Sequence, residues 1–219
     1  MLYPTIFSKN IKSWFSTKKD KNFKLWKNFS YCHQIHSDVV FEVTKPWLQW
    51  DWDAIWTKNY SDKNSLSPLI CAIRVADCVP ILFERKNDET YIIWAIHSWR
   101  EWTTKNIVRK VFWNIKTKNQ NLQVENLKVR IWPSICQNCY EFWNEAENLF
   151  NTKYIKIWKN DKFLVDISWI VINQMLEYWV SKNNIEISNE CTYKNDELFW
   201  SWRRWKDTWR MIARIGFEG

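Results

Sequence analysis

The residues of this chain best suited to chemistry are two imidazoles and one thiol: His36, Cys78 and His97. Cys78 stands in Val75-Ala-Asp-Cys-Val-Pro80 and His97 in Tyr91-Ile-Ile-Trp-Ala-Ile-His97-Ser98, each directly after a short apolar run. The point where a strand gives way to a loop is the usual place for working residues on a rigid scaffold. His36 lies upstream in Gln34-Ile-His36-Ser-Asp38, just before the apolar run Val39–Val43. Two imidazoles and a thiolate make a good three-ligand set for zinc, with the fourth position open to water or substrate. Spacing alone does not join them. The three are far apart in sequence, and single His and Cys residues are more often simply packed.

The elements that must position them follow from hydrophobic periodicity. Apolar runs predict strands near 39–44, 69–75, 80–84, 91–96, 127–131 and 185–187, and residues 1–33 read as an edge strand or loop with an irregular start. A Trp- and Asp-rich loop covers 46–53, and the polar segment 58–67 reads as a surface loop. Helices are predicted over 103–116, with Ile107, Val108, Val111, Phe112 and Ile115 on one face, over 141–150, and over 166–178. The helix opening at Thr103 lies beside His97. Its first N–H groups form either an anion site or a simple capped helix start. Cys136 and Cys139 form a CxxC, but no second CxxC exists for a four-cysteine zinc site, so a structural role is expected. Arg203, Arg204 and Arg210 gather fixed positive charge near the end of the chain; they suit bidentate binding of phosphate or carboxylate, or else form a solvated turn or an internal ion pair.

Composition narrows the class. A chain of 219 residues is long enough for one domain with a substantial core. The net charge of +8 would attract phosphate-bearing ligands, but the lysines are scattered and no compact basic, aromatic-interleaved patch points to nucleic acid. No apolar run reaches membrane-spanning length, and the first residues lack a charged start followed by an apolar core and a cleavage site. The six cysteines are then expected as reduced thiols in the cytoplasm.

Gln34-Ile-His36-Ser-Asp38, Ala76-Asp-Cys78-Val-Pro80 and His97-Ser98 resemble signature segments of the YfiH/laccase-domain family of bacterial proteins. Similar segments continue in order through Ile131-Trp-Pro-Ser-Ile-Cys136, Cys139-Tyr-Glu141, Cys191-Thr192, Ser201-Trp-Arg-Arg204 and Thr208-Trp-Arg210, nearly the whole chain. The resemblance implies an α+β fold of mixed sheets sandwiched by helices, in α/β/β/α layers, as a single domain over 1–219. It implies that His36, Cys78 and His97 hold Zn2+ or, alternatively, copper, and do the catalysis. It also implies a purine nucleoside phosphorylase acting on adenosine, inosine and methylthioadenosine, with adenosine deamination. Asp77 and Gln34 are candidates to orient a ligand imidazole or a leaving base, and Arg100, Thr103 and Arg203 to hold phosphate. The expected partners are a purine nucleoside and phosphate, without membrane or nucleic acid, in a monomer or homodimer. Family members have also been described as polyphenol oxidases and peptidoglycan editing factors. Zinc has no redox change, and multicopper oxidation needs several His-rich sites, so three histidines argue against a laccase. One rival uses the same residues, a metal-free cysteine hydrolase or peptidoglycan-precursor editing enzyme with Cys78 as nucleophile and His97 or His36 as base; another is a basic, non-enzymatic binding protein.

One departure stands out. The chain has 19 Trp and 2 Gly, where average usage predicts about 15 Gly. Trp99, Trp102, Trp132 and Trp209 occupy glycine positions of the family's segments. Trp47 follows Pro46 as in a type II turn, and Trp179 ends a helical pattern where a glycine would close it. Most of these tryptophans are therefore read as glycines, as in a genome that uses UGA for glycine; Trp26, Trp169, Trp200 and Trp202 stay ambiguous. The intact mass of protein from the native host is expected to fall short of the written sequence by one indolylmethyl group per such position. UGG codons at Trp99 and Trp132 would end the idea.

Overall fold

The structure is a computed structural model that describes residues 6–20, 29–31, 33–37, 39–45, 51–60, 69–86, 90–118, 126–143, 145–159, 161–178, 180–206 and 209–217. Its centre is the antiparallel pairing of β4 (Ala54–Tyr60), β6 (Val79–Lys86) and β7 (Thr90–Ser98). β7 lies between the other two in a six-stranded sheet that continues through β8 (Leu127–Ile131) to β12 (Ile185–Ile187) on one side, and to β3 (Val40–Glu42) on the other. A four-stranded sheet is ordered β1 (Ile11–Phe15), β13 (Met211–Phe217), β5 (Ile70–Val75), β2 (Phe29–Tyr31). A small sheet joins β9 (Glu141–Phe142), β10 (Ile155–Ile157) and β11 (Phe163–Val165).

Strand alternation builds two cores from one sheet. Ile92, Trp94 and Ile96 of β7 face one cluster, with Ala54, Trp56, Val79, Ile81 and Phe83 beside them. Ile93 and Ala95 face the other, with Ile55 and Leu82. A strand apolar at every position is what burial on both faces requires. The first cluster is closed by α2 (Ile107–Lys118) and α4 (Ile167–Glu177), whose buried residues include Ile107, Val111, Ile115, Val171 and Met175. The second is closed by Cys71, Ile73 and Val75 of β5 and by Met211, Ala213 and Ile215 of β13. Helices, the large sheet and the four-stranded sheet thus form successive layers of an α+β fold. Among the described residues no helix is long and apolar enough to cross a membrane.

The strands expected at 127–131 and 185–187 lie at those residues, and β1 is indeed an edge strand. The helix expected over 166–178 is α4, capped by the Asp166 carboxylate, which accepts from the Trp169 N–H at 2.8 Å. Three expectations are corrected. β4 occupies part of the stretch read as turn and surface loop, because its pairing with β7 outweighs its polar composition. The helix expected to open at Thr103 begins instead as α1 (Arg100–Thr104) and breaks at Asn106, which takes φ 56°, before α2. The 141–150 helix shortens to α3 (Glu145–Leu149), since Glu141 and Phe142 pair with β11.

Among the described residues the non-glycine positions with positive φ are His36, Asp77, Asn106, Asp161 and Lys206, none of them Trp. Trp99 is extended, with φ −107°. Trp47 and Trp179 lie outside the described residues. No described tryptophan therefore sits in the left-handed conformation that favours glycine. The indole N–H groups of Trp94 and Trp132 are buried without a partner among the described residues, an omission worth about 1–3 kcal/mol each. Trp113, Trp143, Trp205 and Trp209 are all more than half exposed.

Candidate metal centre and active-site cavity

Strand register brings the three candidate ligands to one end of the large sheet. Cys78 lies in the short link between β5 and β6, where Asp77 takes φ 84°, a left-handed conformation that Asp tolerates better than most residues. Val79 pairs with Ser98 and Pro80 with His97, so the cysteine lies beside the end of β7. Ala54 pairs with Ile96, and the Asp53 carbonyl accepts the His97 N–H at 2.8 Å, which sets Asp53 against His97. His36 comes from the loop between β2 and β3, at φ 58°. One ligand atom each from His36, Cys78 and His97 lies within 4.8 Å of the others. The two imidazole centroids are 5.4 Å apart.

Asp53 orients this group, a role expected of Asp77 and Gln34. Its Oδ1 lies 2.8 Å from His97 Nδ1, both groups being buried. Its Oδ2 accepts the Ser37 N–H. With Nδ1 held, His97 turns Nε2 to Cys78, the arrangement in which a carboxylate fixes a ligand imidazole. Burial alone would raise the Cys78 thiol, but the two histidines, His97 foremost, outweigh it and bring the thiol down to about 7. Burial would likewise lower His97, yet the Cys78 thiolate and the Asp53 carboxylate lift it to about 9. Two imidazoles, one readily ionised thiol and a fixed tautomer suit a divalent metal with nitrogen and sulfur ligands. Asp53 was legible only as part of an Asp-containing loop.

The same residues form one wall of a cavity of about 630 Å³, within the range of about 300–1,000 Å³ usual for small-molecule sites. Arg74, Arg100, Arg203, Lys206 and Arg210 line it, against the carboxylate of Asp77, the single one among the described lining residues. That carboxylate is already engaged: Oδ1 accepts from Thr192 Oγ1 at 2.7 Å, and Oδ2 from Ser201 Oγ at 2.9 Å and the Arg203 N–H at 2.7 Å. The cavity is consequently strongly cationic. Tyr140 and Trp99 supply aromatic surface, with the Trp99 ring 4.2 Å from that of His36.

The remaining candidates separate. Arg100 and Arg203 line the cavity, and the Arg203 guanidinium lies 5.1 Å from the Tyr140 ring. Arg204 turns away to the Thr192 and Phe199 carbonyls and to Asp196. Gln34 reaches the cavity, but its amide exchanges two hydrogen bonds with the Arg74 backbone, at 2.8 and 2.7 Å, and so fixes a loop to β5. Asp77 serves the 192–203 segment, as described. Thr103 is wholly buried off the cavity wall, its hydroxyl bonded to Ser98 Oγ and to the Trp99 carbonyl. A helix that starts three residues earlier leaves no N-terminal N–H at Thr103. Tyr140, Arg74 and Lys206 escaped the sequence reading, although Tyr140 follows Cys139 directly.

The sequence profile of a family described as multi-copper polyphenol oxidoreductase laccase matches residues 13–218. A purine nucleoside phosphorylase of Campylobacter jejuni is 27% identical over 185 residues, covering 84% of this chain and 75% of that protein. The purine nucleoside phosphorylase YlmD of Staphylococcus aureus is 29% identical over 201 residues, covering 87% and 73%. Among solved structures, a Neisseria meningitidis protein superposes with a TM-score of 0.79 at 17% identity, covering 100% of this chain and 99% of that one. The Bacillus licheniformis protein YfiH gives 0.73 at 20% identity, covering 88% and 75%.

Asp77→Ala removes the acceptor for three donors in a buried setting. The expected cost is about 3 kcal/mol or more, read as a lowered urea midpoint, with metal uptake by the folded fraction retained because Asp53, not Asp77, holds His97.

Proposed function

The chain belongs to the laccase-like family whose profile spans it, and we propose that within that family it is a zinc-dependent purine nucleoside phosphorylase. The observation that carries this reading is the meeting of His36, Cys78 and His97 on the wall of a cationic, aromatic-lined cavity, in a chain whose relatives bear that name. The histidine count argues against oxygen chemistry on several coppers. Of three histidines, His33 is exposed and paired with Asp51 at 2.9 Å, outside the cluster.

Phosphorolysis joins a phosphate oxygen to ribose C1′ as the bond from C1′ to the purine nitrogen breaks, and the departing base takes up a proton. The products are a ribose 1-phosphate and a free purine. Arg203 and Arg100 are the anion-binding groups, with Arg74, Lys206 and Arg210 adding to the field. Tyr140 and Trp99 offer faces to a purine or ribose. His36, Cys78 and His97 hold the zinc ion, which when bound supplies Lewis-acid polarisation of a substrate or water oxygen. Adenosine, inosine and methylthioadenosine are the proposed substrates. Water in place of phosphate, displacing the 6-amino group as ammonia, gives the adenosine deamination.

One observation favours a second reading. Cys78, His97 and Asp53 stand in the order nucleophile, base and orienting carboxylate, with a lowered thiol, which also describes a metal-free cysteine hydrolase. Chelation separates the two. Treatment of the purified protein with a strong chelator is expected to abolish phosphate-dependent cleavage of adenosine, and added zinc to restore it. Cys78→Ala should lose both the metal and turnover. Thiol-dependent cleavage that persists in the chelated protein and needs no phosphate would establish the hydrolase reading instead.

A further inference from the structure

A second group of soft ligands lies outside the cavity. Cys136 caps and Cys139 ends one 3₁₀ turn (Gln137–Cys139), closed by the Cys139 N–H donating to the Cys136 carbonyl at 2.9 Å. Three residues per turn place both sulfurs on the same side. Cys191 arrives from 52 residues further along the chain (191 − 139), through a bridge between Ser134 and Cys191 and the Thr192 N–H donating to the Ser134 carbonyl at 3.0 Å. The three sulfurs lie within 4.8 Å of one another. The Cys136 N–H donates to Cys191 Sγ at 3.3 Å, a bond that favours sulfur in its anionic form. None of the three lines the cavity.

We propose that Cys136, Cys139 and Cys191 form a second metal site, structural in purpose, for a thiophilic d10 cation, Zn2+ or Cu+. A disulfide accounts for two converging cysteines and leaves a third unexplained; a soft cation uses all three. Thiolate ligands at about 2.3 Å from a tetrahedral zinc stand on the order of 3.8 Å apart, a spacing these sulfurs reach with small adjustments. Binding replaces three S–H protons with three metal–sulfur bonds and releases those protons to solvent. Cys191 is buried while Cys136 and Cys139 are half-buried, so the remaining coordination position faces outward to water. The purpose is visible in the neighbours. Cys139 precedes Tyr140 on the cavity wall, and Cys191 precedes Thr192, which donates to Asp77. A cation here clips together the segment that carries Tyr140 and the segment that leads from Thr192 to Arg203, both of which contribute to the cavity wall.

The test uses the full chain, purified under reducing conditions without chelator. Elemental mass spectrometry is expected to find two thiophilic ions per chain and to identify each as zinc or copper. Cys136→Ser/Cys139→Ser should lose one ion and keep the other, and Cys78→Ala should show the reverse, so failure here is distinct from failure of the nucleoside reading. A protection measurement on the unaltered protein covers the case of a variant that does not fold. Alkylation of Cys136, Cys139 and Cys191 is expected to be roughly tenfold slower before chelation than after it. One ion per chain that survives in the double variant would overturn the proposal, as would equal alkylation with and without chelator, or a disulfide among the three.

Discussion

The contact on which the site depends is the buried pair between Asp53 and His97. It is made twice, once by the backbone at 2.8 Å and once by the side chains at 2.8 Å. Both bonds follow from the register of β4 against β7, in which Ala54 faces Ile96. A shift of one residue in that pairing would turn His97 to the opposite face of the sheet. The shift is resisted along the whole strand, because Ile93 and Ala95 would then exchange cores with Ile92, Trp94 and Ile96. Packing far from the cavity thus fixes the position of one imidazole.

Two buried carboxylates divide the remaining work. Asp53 serves the metal-ligand side, holding His97 and the Ser37 N–H. Asp77, in the link that also carries Cys78, serves the other side, where it accepts from Thr192, Ser201 and the backbone of Arg203. A single three-residue connection between β5 and β6 therefore presents a sulfur to the ligand cluster and an anchor to the arginine-bearing segment. The described lining carries five basic side chains and the one carboxylate of Asp77, an excess of positive charge that suits an anion.

Much of this was legible in the chain itself. Apolar runs marked the central strands because burial on both faces removes polar residues from them. Strand ends marked Cys78 and His97 as candidates, while the family resemblance, not their spacing, joined them with His36. Asp53 was not legible, because its role is set by a neighbour 44 residues away across a sheet, and nothing local separates it from Asp51. Asp77 is expected to orient a ligand imidazole or a leaving base, whereas its carboxylate accepts from the 192–203 segment. The choice depends on a left-handed φ at Asp77 that residue types do not reveal. The third sulfur of the Cys136, Cys139 and Cys191 group was hidden for the same reason as Asp53: a bridge between distant segments carries no local pattern.

His36 differs from its two companions in what holds it. His97 is on a strand and Cys78 in a tight link between strands, whereas His36 is exposed, in a loop, at a left-handed φ. Its ring rests on Trp99 at 4.2 Å. If residue 99 is glycine in the native protein, that support is absent, and the ring would be held by its loop and by the ligand cluster alone. The free energy of metal binding would then order the His36 loop as well as the ion, as happens where a site is incomplete without its metal. The same change would clear aromatic bulk from the cavity beside Arg100, whose guanidinium now lies 5.1 Å from the indole. Residue 99 therefore sets two properties together: how far the metal centre is built in advance, and how much room the cationic pocket leaves for a substrate.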